Sequence, residues 1–209
     1  MNLIPPTATK QCIEIWTDGS VDNNTQQLPN YTKSMGCSAV ILNPITSQIM
    51  QQCQARIIGS AKSVRPEFFA VLMAIQECPA NSDIKIYTDS QAFINLAKKL
   101  QRELPTQRQT TKLPNNNLID YFVHLLKQRQ GLLFFHKVKG HSGIPLNTLA
   151  DKLANEARKL PSLTDIPATN ESHSNTYLYH NNNRIPDDAR WTLKRIAQMK
   201  YQKLMKTGE

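Results

Sequence analysis

Four carboxylates in this chain stand where carboxylates do chemistry. Asp18 ends the strand-like run Ile13-Glu14-Ile15-Trp16-Thr17 and is followed by Gly19, which reads as turning the chain. Asp89 ends a second such run, Asp83-Ile84-Lys85-Ile86-Tyr87-Thr88. Glu67 opens a helical pattern, and Asp151 lies inside another. Taken alone, Asp18 reads first as a turn residue, because Asp-Gly is a common turn pair; the rest of the chain reverses that reading. Two acids that end adjacent parallel strands lie side by side, and like charges that close repel unless cations neutralise them. Oxygen ligands of this kind suit Mg²⁺ or Mn²⁺. Two such ions about 4 Å apart are the arrangement used for in-line displacement at phosphorus.

The elements that must position these acids follow from periodicity and breakers. Residues 12–18, 36–42 and 49–58 read as three strands, with Asn43-Pro44 as a turn signal and a long polar loop over 20–34. Residues 65–78 have helical spacing (Phe68, Val71, Leu72, Ile75), with Pro66 in the first turn and Pro79 beyond the end. The strand 83–89 is followed by a helix over 91–101 that Ser90 can cap. Residues 103–117 read as a loop, 118–130 as a helix stopped by Gly131, 132–138 as a strand and 146–160 as a helix. A three-strand meander followed by strands alternating with helices predicts an α/β fold. Its sheet is mixed and five-stranded, an antiparallel meander plus two parallel strands, with helices on its faces.

At 209 residues the chain is one medium domain with an appendage. Residues 1–11 read as a lead-in and 12–160 as the domain. Residues 161–184, rich in Asn, Ser, Thr and Pro, read as a flexible linker, and 185–209 as a basic helix. Between Arg190 and Lys206 stand six basic residues and no acidic one. That helix is either an accessory nucleic-acid or partner-binding element or one packed back on the domain. The net charge of +9 is uneven: residues 1–100 carry 8 Lys and Arg against 7 acids, and residues 101–209 carry 17 against 9. Such asymmetry suggests a polyanionic partner, nucleic acid first, although a solvated basic surface gives the same count. Cys12, Cys37, Cys53 and Cys78 lack zinc-ligand spacing and read as reduced thiols of a cytoplasmic or nuclear protein. No apolar stretch is long enough for a membrane span, and no secretory signal is seen.

These residues carry a family resemblance. Thr17-Asp18-Gly19-Ser20, Arg65-Pro66-Glu67, Thr88-Asp89-Ser90-Gln91 and Val138-Lys139-Gly140-His141-Ser142-Gly143, followed by Asn147 and Ala150-Asp151, resemble type 1 ribonuclease H over about residues 12–160. The chain is most similar to the ribonuclease H domains of non-LTR (LINE-type) retrotransposon polyproteins. The order Asp, Glu, Asp, Asp argues against retroviral-type integrases, which share the fold. The resemblance implies a ribonuclease H-like three-layer fold and hydrolysis of the RNA strand of an RNA/DNA hybrid. It implies two Mg²⁺ ions, with Mn²⁺ able to substitute, on Asp18, Glu67, Asp89 and Asp151, one activating water and the other stabilising the leaving 3′ oxygen. It further implies that His141 aids proton transfer or product release; read without it, His141 is a surface loop residue. Nucleic-acid contacts are expected from the Gly19 and Ser20 backbone, Lys62, Ser63, Gln91 and Asn147. A fused or associated reverse transcriptase is an implied partner, and a monomer is expected. The chain departs from the family pattern at Val64, where many cellular relatives have asparagine, and at Leu146, where glycine is common. No extra basic handle helix is expected in residues 102–117. A catalytically silent nucleic-acid-binding scaffold on the same fold is the competing reading.

Overall fold

The computed structural model describes residues 12–22, 34–57, 64–110, 113, 115–140, 143–162, 164, 179–180 and 183–184. In chain order these form β1 (Cys12–Val21), β2 (Met35–Leu42), β3 (Ile49–Ile57), α1 (Val64–Gln76), β4 (Asp83–Thr88) and α2 (Gln91–Arg102). They continue as α3 (Gln107–Thr110), α4 (Asn116–Gln128), β5 (Leu133–Lys137), α5 (Pro145–Ala157), β6 (Tyr179–His180) and β7 (Asn183–Arg184). The main sheet has the order β3-β2-β1-β4-β5. β1, β2 and β3 pair antiparallel, while β4 and β5 run parallel to β1. This is the mixed sheet expected from the alternation of strand and helix patterns. Among the described residues no helix is long and apolar enough to cross a membrane.

Alternation along β1 and β4 decides which side chains enter which layer. Ile13, Ile15, Ile84 and Ile86 face a core that also holds Phe68, Leu72 and Ile75 of α1, Phe93 of α2 and Phe122 of α4. Phe68 lies 5.1 Å from Phe93 and 5.8 Å from Phe122, ring centre to ring centre, in the tilted and edge-on arrangements aromatic quadrupoles favour. Residues Arg65 to Leu72 are all buried. α1 therefore has no solvent stripe along that stretch, as expected for a helix enclosed between the sheet and its neighbours. On the opposite face α5 packs Ala150 and Leu153 against Val40 and Leu42, with Trp16, Leu146 and Leu149 at the margin. The buried Ser38 hydroxyl donates to the Ala150 carbonyl at 2.6 Å, tying α5 to β2.

Several expectations need correction. Gly19 does not turn the chain: β1 runs on to Val21, and Gly19 pairs with Cys37 inside the ladder. Its glycine is required by proximity instead. A Cβ at Gly19 would sit 2.4 Å from the Glu67 backbone nitrogen and 2.7 Å from the Pro66 carbonyl carbon. The loop read over 20–34 accordingly starts later, and Asp22 N–H donates to the Ser34 carbonyl at 3.3 Å to close it. Residues 103–117 are not all loop. α3 forms one helical turn, and α4 begins at Asn116 behind Asn115 at φ 57°, a left-handed value Asn tolerates. Within residues 161–184, read as a linker, Tyr179–His180 and Asn183–Arg184 pair as a two-strand ladder, which leaves that reading open. The lead-in 1–11 and the helix expected over 185–209 lie outside the described residues.

Replacing Gly19 with Ala drives a methyl into helix backbone that has no flexible end to yield. We expect a loss of about 1–3 kcal/mol in denaturant unfolding. An unchanged midpoint would show that the β1–α1 contact is looser than its geometry.

Candidate active site

Three elements deliver three acids to one point. Asp18, Glu67 and Asp89 each place one carboxylate oxygen within 4.8 Å of the other two. Asp18 comes from the middle of β1, opposite Ser38 of β2. Glu67 lies in the first turn of α1, where the helix dipole favours negative charge. Asp89 follows the last residue of β4, and Ser90 then caps α2 by accepting from Phe93 N–H at 3.4 Å. The close approach at Gly19 is what brings the start of α1 down to β1. Gly140, just before His141, lies so near that a Cβ there would meet Asp89 Oδ2 at 2.6 Å. The loop after β5 thus leans on this carboxylate.

Asp151 stands near enough to Asp18 for its charge to raise the Asp18 pKa, yet it is outside the three-residue group. The Ser38–Ala150 bond sets its position, since Ser38 pairs with Asp18 and Ala150 precedes Asp151. Asn155, one helical turn on, completes the arrangement. Its amide nitrogen donates to Asp151 Oδ1 at 3.1 Å and to the Asp151 carbonyl at 2.9 Å. Its amide oxygen accepts from the Ser20 hydroxyl at 2.7 Å. One side chain therefore links β1 to the fourth acid.

The electrostatics are those of charge removed from water. Burial, then Asp89 and Asp151, push Asp18 from an ordinary value of 3.8 up to about 7, against a hydrogen bond from Gly19 N–H that opposes the rise. Glu67 is raised well above the usual carboxylate range, first by burial, then by Asp18 and Asp89; the Gly19 N–H and Lys137 oppose this. Lys137 also donates to the Asp89 carbonyl. Glu67 Oε2 is buried with no hydrogen-bond partner among the described residues. An all-oxygen donor set with a buried, unpartnered oxygen fits a hard divalent cation.

The expected nucleic-acid contacts separate into distinct cases. Gly19 N–H donates to Asp18 Oδ1 at 2.8 Å, so this amide supports the carboxylate rather than pointing freely outward. The Ser20 hydroxyl is engaged by Asn155. Gln91 is exposed in the first turn of α2, with its amide nitrogen donating to Asn95 at 2.9 Å. Asn147 is 5% exposed and is a packing position on α5. Lys62, Ser63 and His141 lie outside the described residues. Asn155 and Lys137 were not singled out in the sequence, and Arg65 was read only as part of the Arg65-Pro66-Glu67 motif, without its supporting contacts. The buried Arg65 donates to Asn115 at 3.2 Å and to Asn117 at 3.4 Å, pinning the start of α1 to the start of α4. Asn155 left a further signal, its four-residue spacing from Asp151 on a helix.

The raised Asp18 has a definite consequence for stability. With a folded value of about 7 against 3.8, its contribution is fully present below about pH 4 and is lost as pH rises through about 7. Metal-free protein should lose melting temperature over that interval, and Asp18→Asn should remove part of the slope. Added Mg²⁺ or Mn²⁺ should stabilise more above that interval than below it. Identical slopes for wild type and Asp18→Asn in thermal melts would contradict the assignment.

Comparison with curated protein sequences gives no match. The family model for RNase H matches residues 10–159, which spans the whole five-stranded sheet, α1 to α5 and all four acids. With that coverage, and with the mixed sheet carrying an acidic triad whose Asp18 and Glu67 are buried, the chain belongs to the RNase H family.

Proposed function

We propose that this protein is an endoribonuclease that hydrolyses the RNA strand of RNA/DNA hybrids, using two divalent ions, Mg²⁺ or Mn²⁺. The observation that carries this reading is the convergence of Asp18, Glu67 and Asp89 within 4.8 Å in a member of the RNase H family. A scaffold that only binds nucleic acid gains nothing from burying like charges at the cost of desolvation.

Asp18, Glu67 and Asp89 would hold the ions, with Asp151 completing the set. When bound, the ions lower the pKa of water and neutralise charge developing on phosphate oxygens. The chain's own groups do the rest. The Gly19 amide and Asn155 fix the carboxylates in place, and burial between β1, β2 and α1 keeps them from drifting into solvent. Lys137, beside Asp89, adds positive charge where a phosphate would arrive. His141, which follows Gly140 in the sequence, is the group we assign to proton transfer or product release. Gln91 at the exposed start of α2 is the side chain best presented to the RNA strand, with Lys62 and Ser63 as further contacts.

On the same reading, residues 12–160 form the catalytic domain, 161–184 a connector, and 185–209 a basic arm that adds phosphate contacts. The motif resemblance to LINE-type elements supports a role in reverse transcription of a retroelement, beside a fused or associated reverse transcriptase. No partner copy is required for the acidic cluster, because one chain supplies all of it.

The test offers matched RNA/DNA hybrid, double-stranded RNA, double-stranded DNA and single-stranded RNA, with Mg²⁺ and with EDTA. Only the RNA strand of the hybrid should be cut, leaving 5′-phosphate ends, and EDTA should abolish cutting. Asp89→Asn should lower the rate by more than about 100-fold, since even residues that merely orient metal ligands are worth 10–100-fold. Hybrid binding without cutting would replace the enzyme by the scaffold. Equal cutting of double-stranded RNA would reassign the substrate.

A further inference from the structure

The sheet face that carries Asp18 and Asp89 continues past the acids as a row of rings. Side chains two residues apart on a strand share a face, so Trp16 lies on the side of Asp18 and Tyr87 on the side of Asp89. Trp16, Tyr87 and His136 are in register across β1, β4 and β5. Trp16 stacks on Tyr87 with ring centres 4.4 Å apart and an 11° angle between planes. Tyr87 stacks on His136 at 5.2 Å and 27°. The inner end of the row is closed, because Trp16 packs beside α5. The outer end is open. His136 is exposed, β5 is the edge strand, and α5 packs on β1, β2 and β3 rather than on β4 or β5.

Three features say what suits that open end. His136 has one ring face against Tyr87 and the other turned toward the sheet edge, so the next flat group would extend the stack. The charge around it favours an anion: Lys85 lies on β4 beside β5, two residues from Tyr87 and so on the same face, and Lys139 is exposed just beyond the end of β5. The nearby acid, Glu14, is 3.6 Å from the Lys85 ammonium and also accepts from the Tyr87 hydroxyl at 3.5 Å. Finally, the row is continuous with the site. Tyr87 is two residues from Asp89, about 7 Å along the strand, and His136 is one strand spacing, about 4.8 Å, to the side. A polynucleotide held at the carboxylates reaches His136 with the next nucleotide or two.

We propose that His136 is a stacking platform for an unpaired base of the RNA strand, next to the catalytic carboxylates, with Lys139 receiving a flanking phosphate. The proposal rests on the reading of this protein as a hybrid-directed nuclease. It adds that the enzyme favours hybrids whose RNA strand runs on beyond the duplex as a single strand. Stacking on an aromatic ring is tolerant of base identity, so the preference is for an extension and not for a sequence. The partner is the RNA strand rather than the DNA strand because the RNA strand is the one the carboxylates hold.

Fluorescence anisotropy in EDTA, with wild type and with His136→Ala, measures binding to blunt hybrid and to hybrids carrying a single-stranded extension of the RNA strand at either end, or of the DNA strand. An RNA extension at one end should tighten wild-type binding roughly five- to tenfold over blunt hybrid. His136→Ala should abolish that gain while leaving blunt-hybrid affinity unchanged, and His136→Trp should retain it. The proposal is overturned if no RNA extension tightens binding, if the gain survives His136→Ala, or if only the DNA extension produces it. Cleavage of blunt hybrid with Mg²⁺ is followed separately. If blunt hybrid is not cut, the hybrid-nuclease reading fails; if it is cut and extensions make no difference, only the stacking platform fails.

Discussion

Bringing Asp18, Glu67 and Asp89 within 4.8 Å in a buried setting is unfavourable on two counts, lost hydration and mutual repulsion. Much of the surrounding structure is arranged to hold that unfavourable cluster in place. The Gly19 amide donates to Asp18, and Gly19 lacks a side chain so that α1 can come down on β1. Ser38 and Asn155 hold α5 so that Asp151 joins from the opposite layer. Arg65, through Asn115 and Asn117, ties the Glu67 end of α1 to α4. A neutral core would need none of these polar fixtures. They make sense as preorganisation, in which the fold absorbs the cost before any cation or substrate arrives.

The two layers of the protein have different tasks in this arrangement. The α1, α2 and α4 layer supplies the main apolar core, with Phe68, Phe93 and Phe122 at its centre, and so supplies the rigidity against which strained charges can be held. The α5 layer is smaller and covers only part of its face. That partial cover leaves a polar and aromatic strip beside the acids, where the Trp16–Tyr87–His136 row meets solvent. Cross-strand ring pairs strengthen a sheet in any case. Here the exposed end of the row points away from the acids along the same face, which gives it a place in substrate handling as well as in sheet pairing.

Much of this was legible in the sequence, for physical reasons that can be named. Strand-length apolar runs ending on Asp18 and Asp89, with Glu67 after Pro66, gave element types and the acidic constellation, because burial periodicity and breakers act locally. Gly19 misled, since a glycine after aspartate signals a turn unless a distant helix needs its space, and sequence carries no distance. α3 was too short to leave a periodic trace. Asn155 and Lys137 act through contacts between elements far apart in the chain, Asn155 to Ser20 and Lys137 to Asp89. The aromatic row was hidden for the same reason: Trp16, Tyr87 and His136 become neighbours only when the strand order and register are known.

Burial raises Asp18 and Glu67 toward their protonated forms, so under the proposed function a divalent cation has to displace protons from them. Calorimetric titration of the metal-free protein with Mn²⁺ or Mg²⁺, repeated in buffers of different ionisation enthalpy, measures the protons displaced. Near pH 6, below the value of about 7 to which Asp18 is raised, binding should release protons, with the release smaller at higher pH and reduced in Asp18→Asn. Metal binding without proton release near pH 6, or no metal binding by the intact cluster, would contradict the account.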